Sequence, residues 1–184
     1  MSKKSGQNRV IITGGRLSGL AIDTPGEGTH PMGMRERLAL FNMIQSYLPG
    51  ADVMDAYAGS GILGIEALSR GARHAIFVDK DELVLQTIEK NLYKTRIEPS
   101  EADTLKLNIK KIGQITGVSY DVIFADPPYD KYKPEMVTIL VPLVSKGGIL
   151  VASTPEEAPE IPGFKIITQR KYARCHITIY QREE

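Results

Sequence analysis

Cysteine is nearly absent from this chain. A single one, Cys175, among 184 residues rules out an internal disulfide and suits a reducing compartment. Long apolar runs are missing too, since no stretch approaches the roughly 20 residues that a bilayer-spanning helix needs. The basic start Met1-Ser2-Lys3-Lys4-Ser5-Gly6-Gln7 is not followed by a signal-length apolar segment, so cytoplasm is the expected location. His30, His74 and His176 are too scattered for any familiar metal-ligand spacing, and no metal is expected. Charge excess is also lacking. A net +1 gives no general affinity for nucleic acid, so such binding must come from where the basic residues sit. There is no internal repeat and no low-complexity block. What remains, 42% hydrophobic and 24% charged, has the composition and length of one ordinary globular domain with a real core.

The pattern along that domain is strand then helix, repeatedly. A basic tail expected to be disordered leads into two short strands, Arg9 to Thr13 and Leu20 to Asp23, with Gly14-Gly15 and Ser18-Gly19 supplying bends. Two strands cannot form a domain alone, so residues 1–34 are expected to be an appendage on a body spanning 35–184. The spacing of Leu38, Phe41, Ile44 and Leu48 predicts a helix from Arg35 to Leu48, stopped by Pro49-Gly50. Strands are then expected at Val53 to Asp55, His74 to Asp79, Thr104 to Asn108, Tyr120 to Ala125 and Ile149 to Ser153. Helices between them imply a parallel sheet with right-handed crossovers. A Lys-rich helical stretch follows Asn108, and Pro134 is placed to open the helix after Ala125. Near the end, Phe164 to Thr168 and Ile177 to Tyr180 leave no room for a helix between them and should pair antiparallel.

Two places on this scaffold carry chemistry. Asp126-Pro127-Pro128-Tyr129 follows a short apolar strand, and two prolines end any ladder because neither donates an N–H. The product is a rigid elbow offering a carboxylate, a backbone carbonyl and an aromatic face. A planar amino-bearing base could use all three. The bland alternative is a strand ending in a Pro-Pro turn, with Asp126 capping and Tyr129 packing. The second place is Asp55-Ala56-Tyr57-Ala58-Gly59-Ser60-Gly61-Ile62-Leu63-Gly64, where glycines let backbone amides approach a ligand. Asp79, ending the next strand, is placed to accept from ribose hydroxyls. Lys80 follows it, where a solvated lysine is the plainer reading, and Asn108 ends the third strand toward a base edge or as a simple cap.

Gly59, Gly61 and Gly64 also satisfy the dinucleotide fingerprint, so a nicotinamide or flavin enzyme has to be weighed. Asp55 argues against it: a carboxylate before the glycines repels a pyrophosphate but attracts a sulfonium or ammonium. The chain also holds no second half for a nicotinamide.

Asp55 with Gly59-Ser60-Gly61, followed by Asp126-Pro127-Pro128-Tyr129, resembles the amino-methyltransferases of nucleic-acid bases. The fuller pattern is narrower. Arg9-Val10-Ile11-Ile12-Thr13-Gly14-Gly15-Arg16, Arg37, Leu40-Phe41-Asn42 and the run from Leu63-Gly64 through Glu66-Ala67-Leu68-Ser69-Arg70-Gly71-Ala72 are similar to the bacterial 16S rRNA guanine-N2 methyltransferase family. One departure is clear: that family usually has Arg-Pro-Thr-Thr-Asp before its first helix, and here the segment is His30-Pro31-Met32-Gly33-Met34.

The resemblance implies a Rossmann-like class I methyltransferase fold, α/β, with a mostly parallel seven-stranded sheet and an N-terminal β-hairpin. It implies methyl transfer from S-adenosylmethionine to the exocyclic N2 of a guanine in small-subunit rRNA, at the position equivalent to guanine 966. Asp126, Pro127, Pro128 and Tyr129 become the catalytic set. Asp55, Ala58, Gly59, Ser60, Gly61, Gly64, Asp79, Lys80, Asn108 and Asp126 become the cofactor site. Phosphate contacts are expected from Arg9, Arg16, Arg35, Arg37, Lys131 and Lys133, with Lys3 and Lys4 in the tail. His30 is the loop's candidate RNA contact, to a base, with an ordinary loop histidine as the plainer reading. The implied partner is 16S rRNA or a small-subunit particle, met by a monomer with no membrane contact. A DNA adenine-N6 enzyme, a glutamine-amide methyltransferase and a non-catalytic assembly factor are the rivals.

Overall fold

Neighbouring residues in the apolar runs face opposite sides, as strand geometry requires. In the computed structural model of the chain, which describes residues 9–26 and 31–183, Val53, Val122, Phe124, Ile149 and Val151 enter one apolar layer. Their neighbours Met54, Ile123, Leu150 and Ala152 enter a second layer on the other face. Burial on both faces explains why the runs are apolar throughout instead of alternating. The basic tail, with Lys3 and Lys4, and the loop residue His30 lie outside the described residues.

The elements, in chain order, are β1 (Arg9–Ile11), β2 (Ala21–Asp23), α1 (Met34–Met43), β3 (Asp52–Asp55), α2 (Ile62–Ser69), β4 (His74–Asp79), α3 (Glu82–Thr95), β5 (Ala102–Lys106), β6 (Tyr120–Ala125), α4 (Glu135–Thr138), β7 (Val144–Thr154), β8 (Phe164–Lys171) and β9 (His176–Arg182). β1 and β2 pair antiparallel as a separate hairpin. The other seven strands form one sheet in the order β5-β4-β3-β6-β7-β9-β8. Pairing is parallel from β5 through β7 and antiparallel for β9 against both β7 and β8. The chain leaves β3 toward one edge and returns to β6 on its other side. The switch point therefore lies between β3 and β6, where open α/β sheets place their ligands.

Three expected helices differ from those found. The helix after the loop ends at Met43 and gives way to a 3-10 turn at Gln45–Tyr47; the break lets Ile44 and Leu48 both reach complete burial. The Lys-rich stretch is a 3-10 turn, Ile109–Gln114, that buries Ile109 and Ile112 only. Pro134 precedes a single helical turn. The N-terminal hairpin sits on the body: Ile12 and Ile22 are buried in the same layer as Leu40 and Phe41 of α1 and Ile65 of α2. No helix among the described residues is long and apolar enough to cross a membrane.

Candidate active site

β3 delivers Asp55 to the switch point, and the chain then turns sharply. Gly59 and Gly61 have φ of 52° and 78°, the left-handed region that glycine enters without a Cβ penalty. The amide of Gly61 donates to the Ala58 carbonyl at 2.7 Å and closes the turn. Gly64 serves another need, since a Cβ there would lie 2.3 Å from the Phe77 ring. That contact lets α2 pack directly on β4.

The amide that a bound anion would use at the start of α2 is already taken. Gly64 N–H donates to Asp55 Oδ2 at 3.0 Å. A pyrophosphate would meet that carboxylate, which argues on geometry against a dinucleotide in the usual pose. Asp79, on β4, accepts weakly from the Gly59 amide at 3.4 Å and from the Asp81 amide at 3.0 Å. Behind the turn, the fully buried Asn91 of α3 donates to the carbonyls of Asp23, at 2.8 Å, and Ser60, at 3.1 Å. The Ser60 hydroxyl itself is buried with no partner among the described residues.

Across the crevice, β6 ends at Ala125 and the Pro-Pro elbow follows with Pro128 in extended backbone (φ −61°, ψ 122°). No hydrogen bond among the described residues reaches the Pro127 carbonyl. The Tyr129 phenol donates to Asp126 Oδ1 at 3.3 Å and lies 2.6 Å from the Ser153 hydroxyl. Cys175, buried at the approach to β9, sets its thiol against both hydroxyls. Tyr57 ties the two halves together by donating to the Met136 carbonyl of α4 at 2.7 Å.

Electrostatically the crevice is short of positive charge. Burial pushes the Asp55 carboxyl up to about 8; the Gly64 amide opposes that, and the charges of Asp126 and Asp79 add to it. Burial also pushes Asp126 up to about 6, against hydrogen bonds from Ser153 and Tyr129. A buried carboxyl raised by neighbouring carboxylates, as Asp55 is, is relieved by a cation placed between them. A ligand with a positive centre, a ribose for Asp79 and a group for the idle Ser60 hydroxyl fits this donor and acceptor set.

The structure gathers Asp55, Ala58, Gly59, Ser60, Gly61, Gly64 and Asp79 around one turn and faces them with Asp126, Pro127, Pro128 and Tyr129. Lys80 is exposed beside Asp79. Asn108 is exposed beyond β5, where its Oδ1 accepts from the Lys110 amide at 3.1 Å, the capping role. Sequence reasoning missed Ser153, Cys175 and Asn91.

Among the basic residues, Arg37 requires correction. It is 1% exposed, and its guanidinium donates to Glu66 at 2.8 Å, to the Met32 carbonyl at 2.8 Å and to the Ile11 carbonyl. Each of its nitrogens is bonded inward and the side chain is sealed from solvent, so it is not offered to a phosphate. Glu66, also fully buried, accepts in addition from Arg70 at 2.9 Å and from Thr13. Arg37 is an internal clamp. Arg35, two residues earlier, is exposed, as are Lys131 and Lys133 past the elbow. Arg9 and Arg16 are solvent-facing but paired with Asp23 and Glu101. Arg174, exposed and not anticipated, joins Arg9 and Met34 in lining a cleft of about 400 Å³ between the hairpin and the β8–β9 turn.

The chain is similar to known proteins along nearly its whole length. The family model described as conserved hypothetical protein 95 matches residues 10–181. Ribosomal RNA small subunit methyltransferase D of Escherichia coli (strain K12) is 31% identical over 97% of this chain and 93% of its own. YlbH of Bacillus subtilis (strain 168), described as a candidate rRNA methyltransferase, is 32% identical over 94% of this chain and 98% of its own. A solved Escherichia coli structure, the methyltransferase candidate yhhF, superposes with a TM-score of 0.85 at 27% identity, covering 96% of this chain and 99% of that one.

Proposed function

Because the chain belongs to the conserved hypothetical protein 95 family, we propose that it methylates small-subunit rRNA at the exocyclic N2 of a guanine, the position equivalent to guanine 966, using S-adenosylmethionine. The relatives named for rRNA methylation support the substrate class. The observation that carries the reading is the facing of Asp55 and its glycine turn by the Asp126 elbow across one switch point. When bound, S-adenosylmethionine supplies an electrophilic methyl on a positively charged sulfur.

The chain's own residues then divide the work. Asp55 provides most of the negative field that a cationic ligand needs, and Asp126 adds a smaller share from across the crevice. The glycine turn, with Ala58 and the free Ser60 hydroxyl, admits its backbone-sized approach. Asp79 accepts from the ribose, and Lys80 and Asn108 border the base end. On the substrate side, Asp126 and the Pro127 carbonyl accept the two N–H bonds of the guanine amino group. That arrangement draws the nitrogen toward tetrahedral geometry and frees its lone pair, which the ring otherwise delocalises. With the cofactor held by Asp55, the glycine turn and Asp79, that lone pair is what would receive the methyl, and the proton displaced from the nitrogen would pass to water. Asp126 stabilises the positive charge developing there, a gain largest where water is scarce. Holding the partners in line contributes on the order of 7–11 kcal/mol relative to free reactants, so positioning dominates over proton abstraction. Tyr129 offers a stacking face, about 1–3 kcal/mol per base, to a base that must leave its own stack.

Residues 1–34 serve as the RNA-binding appendage and 35–184 as the transferase domain of a cytoplasmic monomer. Arg9, Arg16, Arg35, Lys131 and Lys133 form the phosphate-facing rim, joined by Arg174. The test is methyl transfer to rRNA and to assembled small subunits from cells lacking the gene, with the product mapped by mass spectrometry. One N2-methylguanosine is the expected result. Methylated adenine, or cofactor binding without transfer to either substrate, overturns the assignment.

A further inference from the structure

The geometry points to Ser153 as a positioning residue: its hydroxyl and the Tyr129 phenol form one hydrogen-bonded set that holds the Asp126 carboxylate in place for the amino group it receives. This inference rests on the methyl-transfer reading above and names a member of the elbow that lies 27 residues beyond it in sequence, outside any local motif.

Strand register creates the set. β6 and β7 run parallel with Ala125 opposite Ala152, so the next residues, Asp126 and Ser153, emerge side by side at the strand ends. Both lie two residues beyond members of the same apolar layer, Phe124 and Val151, which puts them on the same face. β9 continues the row. Ser153 pairs with Ile177, and Cys175 stands two residues before Ile177 on that face. Three adjacent strands thus bring a carboxylate, a hydroxyl and a thiol together, and the elbow folds Tyr129 back over them. The contacts are 2.6 Å between the two hydroxyls and 3.3 Å from the phenol to Asp126 Oδ1.

Proton counting gives the set its direction. Each hydroxyl has one proton to donate and can also accept. The phenol donates to Asp126, so its oxygen is left to accept from Ser153, and the chain of donors ends on Asp126. A carboxylate accepts such a bond far better ionised than protonated. The thiol of Cys175 packs behind both hydroxyls and is itself pushed up by burial, so it stays a neutral wall. The charged group facing Asp126 from β3 is Asp55, whose own carboxyl is pushed up in part by Asp126; Glu36 of α1 acts on Cys175. Ser153, itself 1% exposed, and Tyr129 oppose the burial that raises Asp126 and leave the second carboxylate oxygen for the substrate. The ring of Tyr129 is thereby fixed as well, so its stacking face and its hydroxyl are used together.

The test is a carbon-13 carboxyl titration of Asp126 in the ligand-free protein, its resonance identified by its loss in Asp126→Asn. It is run on wild type, Ser153→Ala, Ser153→Thr and Tyr129→Phe beside pH profiles of kcat/KM. The wild-type midpoint is expected near 6. Ser153→Ala and Tyr129→Phe should each move it up, roughly tenfold in acid constant for one charge-assisted bond, and Ser153→Thr should restore it. The acid limb of kcat/KM should move with the midpoint. An unmoved midpoint in both Ser153→Ala and Tyr129→Phe overturns the inference, and so does a moved midpoint with an unmoved acid limb. If wild type transfers no methyl, the function proposed above fails by itself, and the titration alone then decides whether Ser153 holds Asp126.

Discussion

The two sides of the crevice carry the same functional group and treat it differently. On the glycine side, Asp55 is 1% exposed and spends an oxygen on a backbone amide of its own helix. Everything behind it is bonded inward: Asn91 to Ser60 and Asp23, Glu66 to Arg37, Arg70 and Thr13. On the elbow side, Asp126 is only partly buried and is held by hydroxyl side chains. The Pro127 carbonyl has no partner among the described residues, and the flanking lysines face solvent. Apart from the Ser60 hydroxyl, the first side is finished without a ligand, and the second is not. The contrast teaches that the first is a fixed electrostatic mould, while the second is completed by what it binds.

The sharpest way to break that comparison is at the elbow. Asp126→Ala should abolish methyl transfer while cofactor affinity, measured by calorimetry, stays within a few-fold. A comparable loss of affinity would mean both carboxylates belong to the mould. Next in size is the inward-bonded network. Arg37→Ala strands a buried carboxylate and should cost about 3–5 kcal/mol of stability in denaturant titration, with RNA affinity little changed in whatever remains folded.

A pH series sharpens the contrast between the two acids. Asp55 and Asp126 titrate in the folded chain at about 8 and about 6, both above the ordinary 3.8. Protonation therefore favours folding, and their stabilising contribution is complete below about 4 and lost as pH rises through 6 and then 8. The ligand-free protein should melt higher at pH 5 than at pH 8. Asp55→Asn should remove most of the upper half of that slope, and bound cofactor should flatten it by favouring both ionised forms. The smallest effect belongs to the rim. Arg35→Glu should weaken RNA binding modestly and reduce the slope of log affinity against log salt by about 1, with melting temperature unchanged.

Much of this was legible because it is local. Asp126-Pro127-Pro128-Tyr129 and the Asp55 to Gly64 turn each specify their shape within ten residues, and the terminal hairpin follows from the lack of space for a helix. What escaped depends on register or distant partners. Ser153 and Cys175 matter only because β7 and β9 lie beside β6 in that alignment. Arg37 sits in Arg35-Glu36-Arg37, which reads as a solvated helix face. Its burial depends on Glu66, 29 residues later, and on carbonyls from the hairpin and loop. The short helices were overestimated for a related reason: apolar spacing marks which residues go inside but not that a broken turn can put them there.

The clamp on Glu66 has a practical corollary for genetics on this protein. Deleting the N-terminal hairpin would remove Thr13 and the Ile11 carbonyl and leave a charge sealed beneath the ligand turn with fewer counterparts. A deletion strain that loses the modification would therefore report a collapsed turn as readily as a missing grip on the ribosome. Single exchanges at solvent-facing Arg9 or Arg174 ask the question without that confusion.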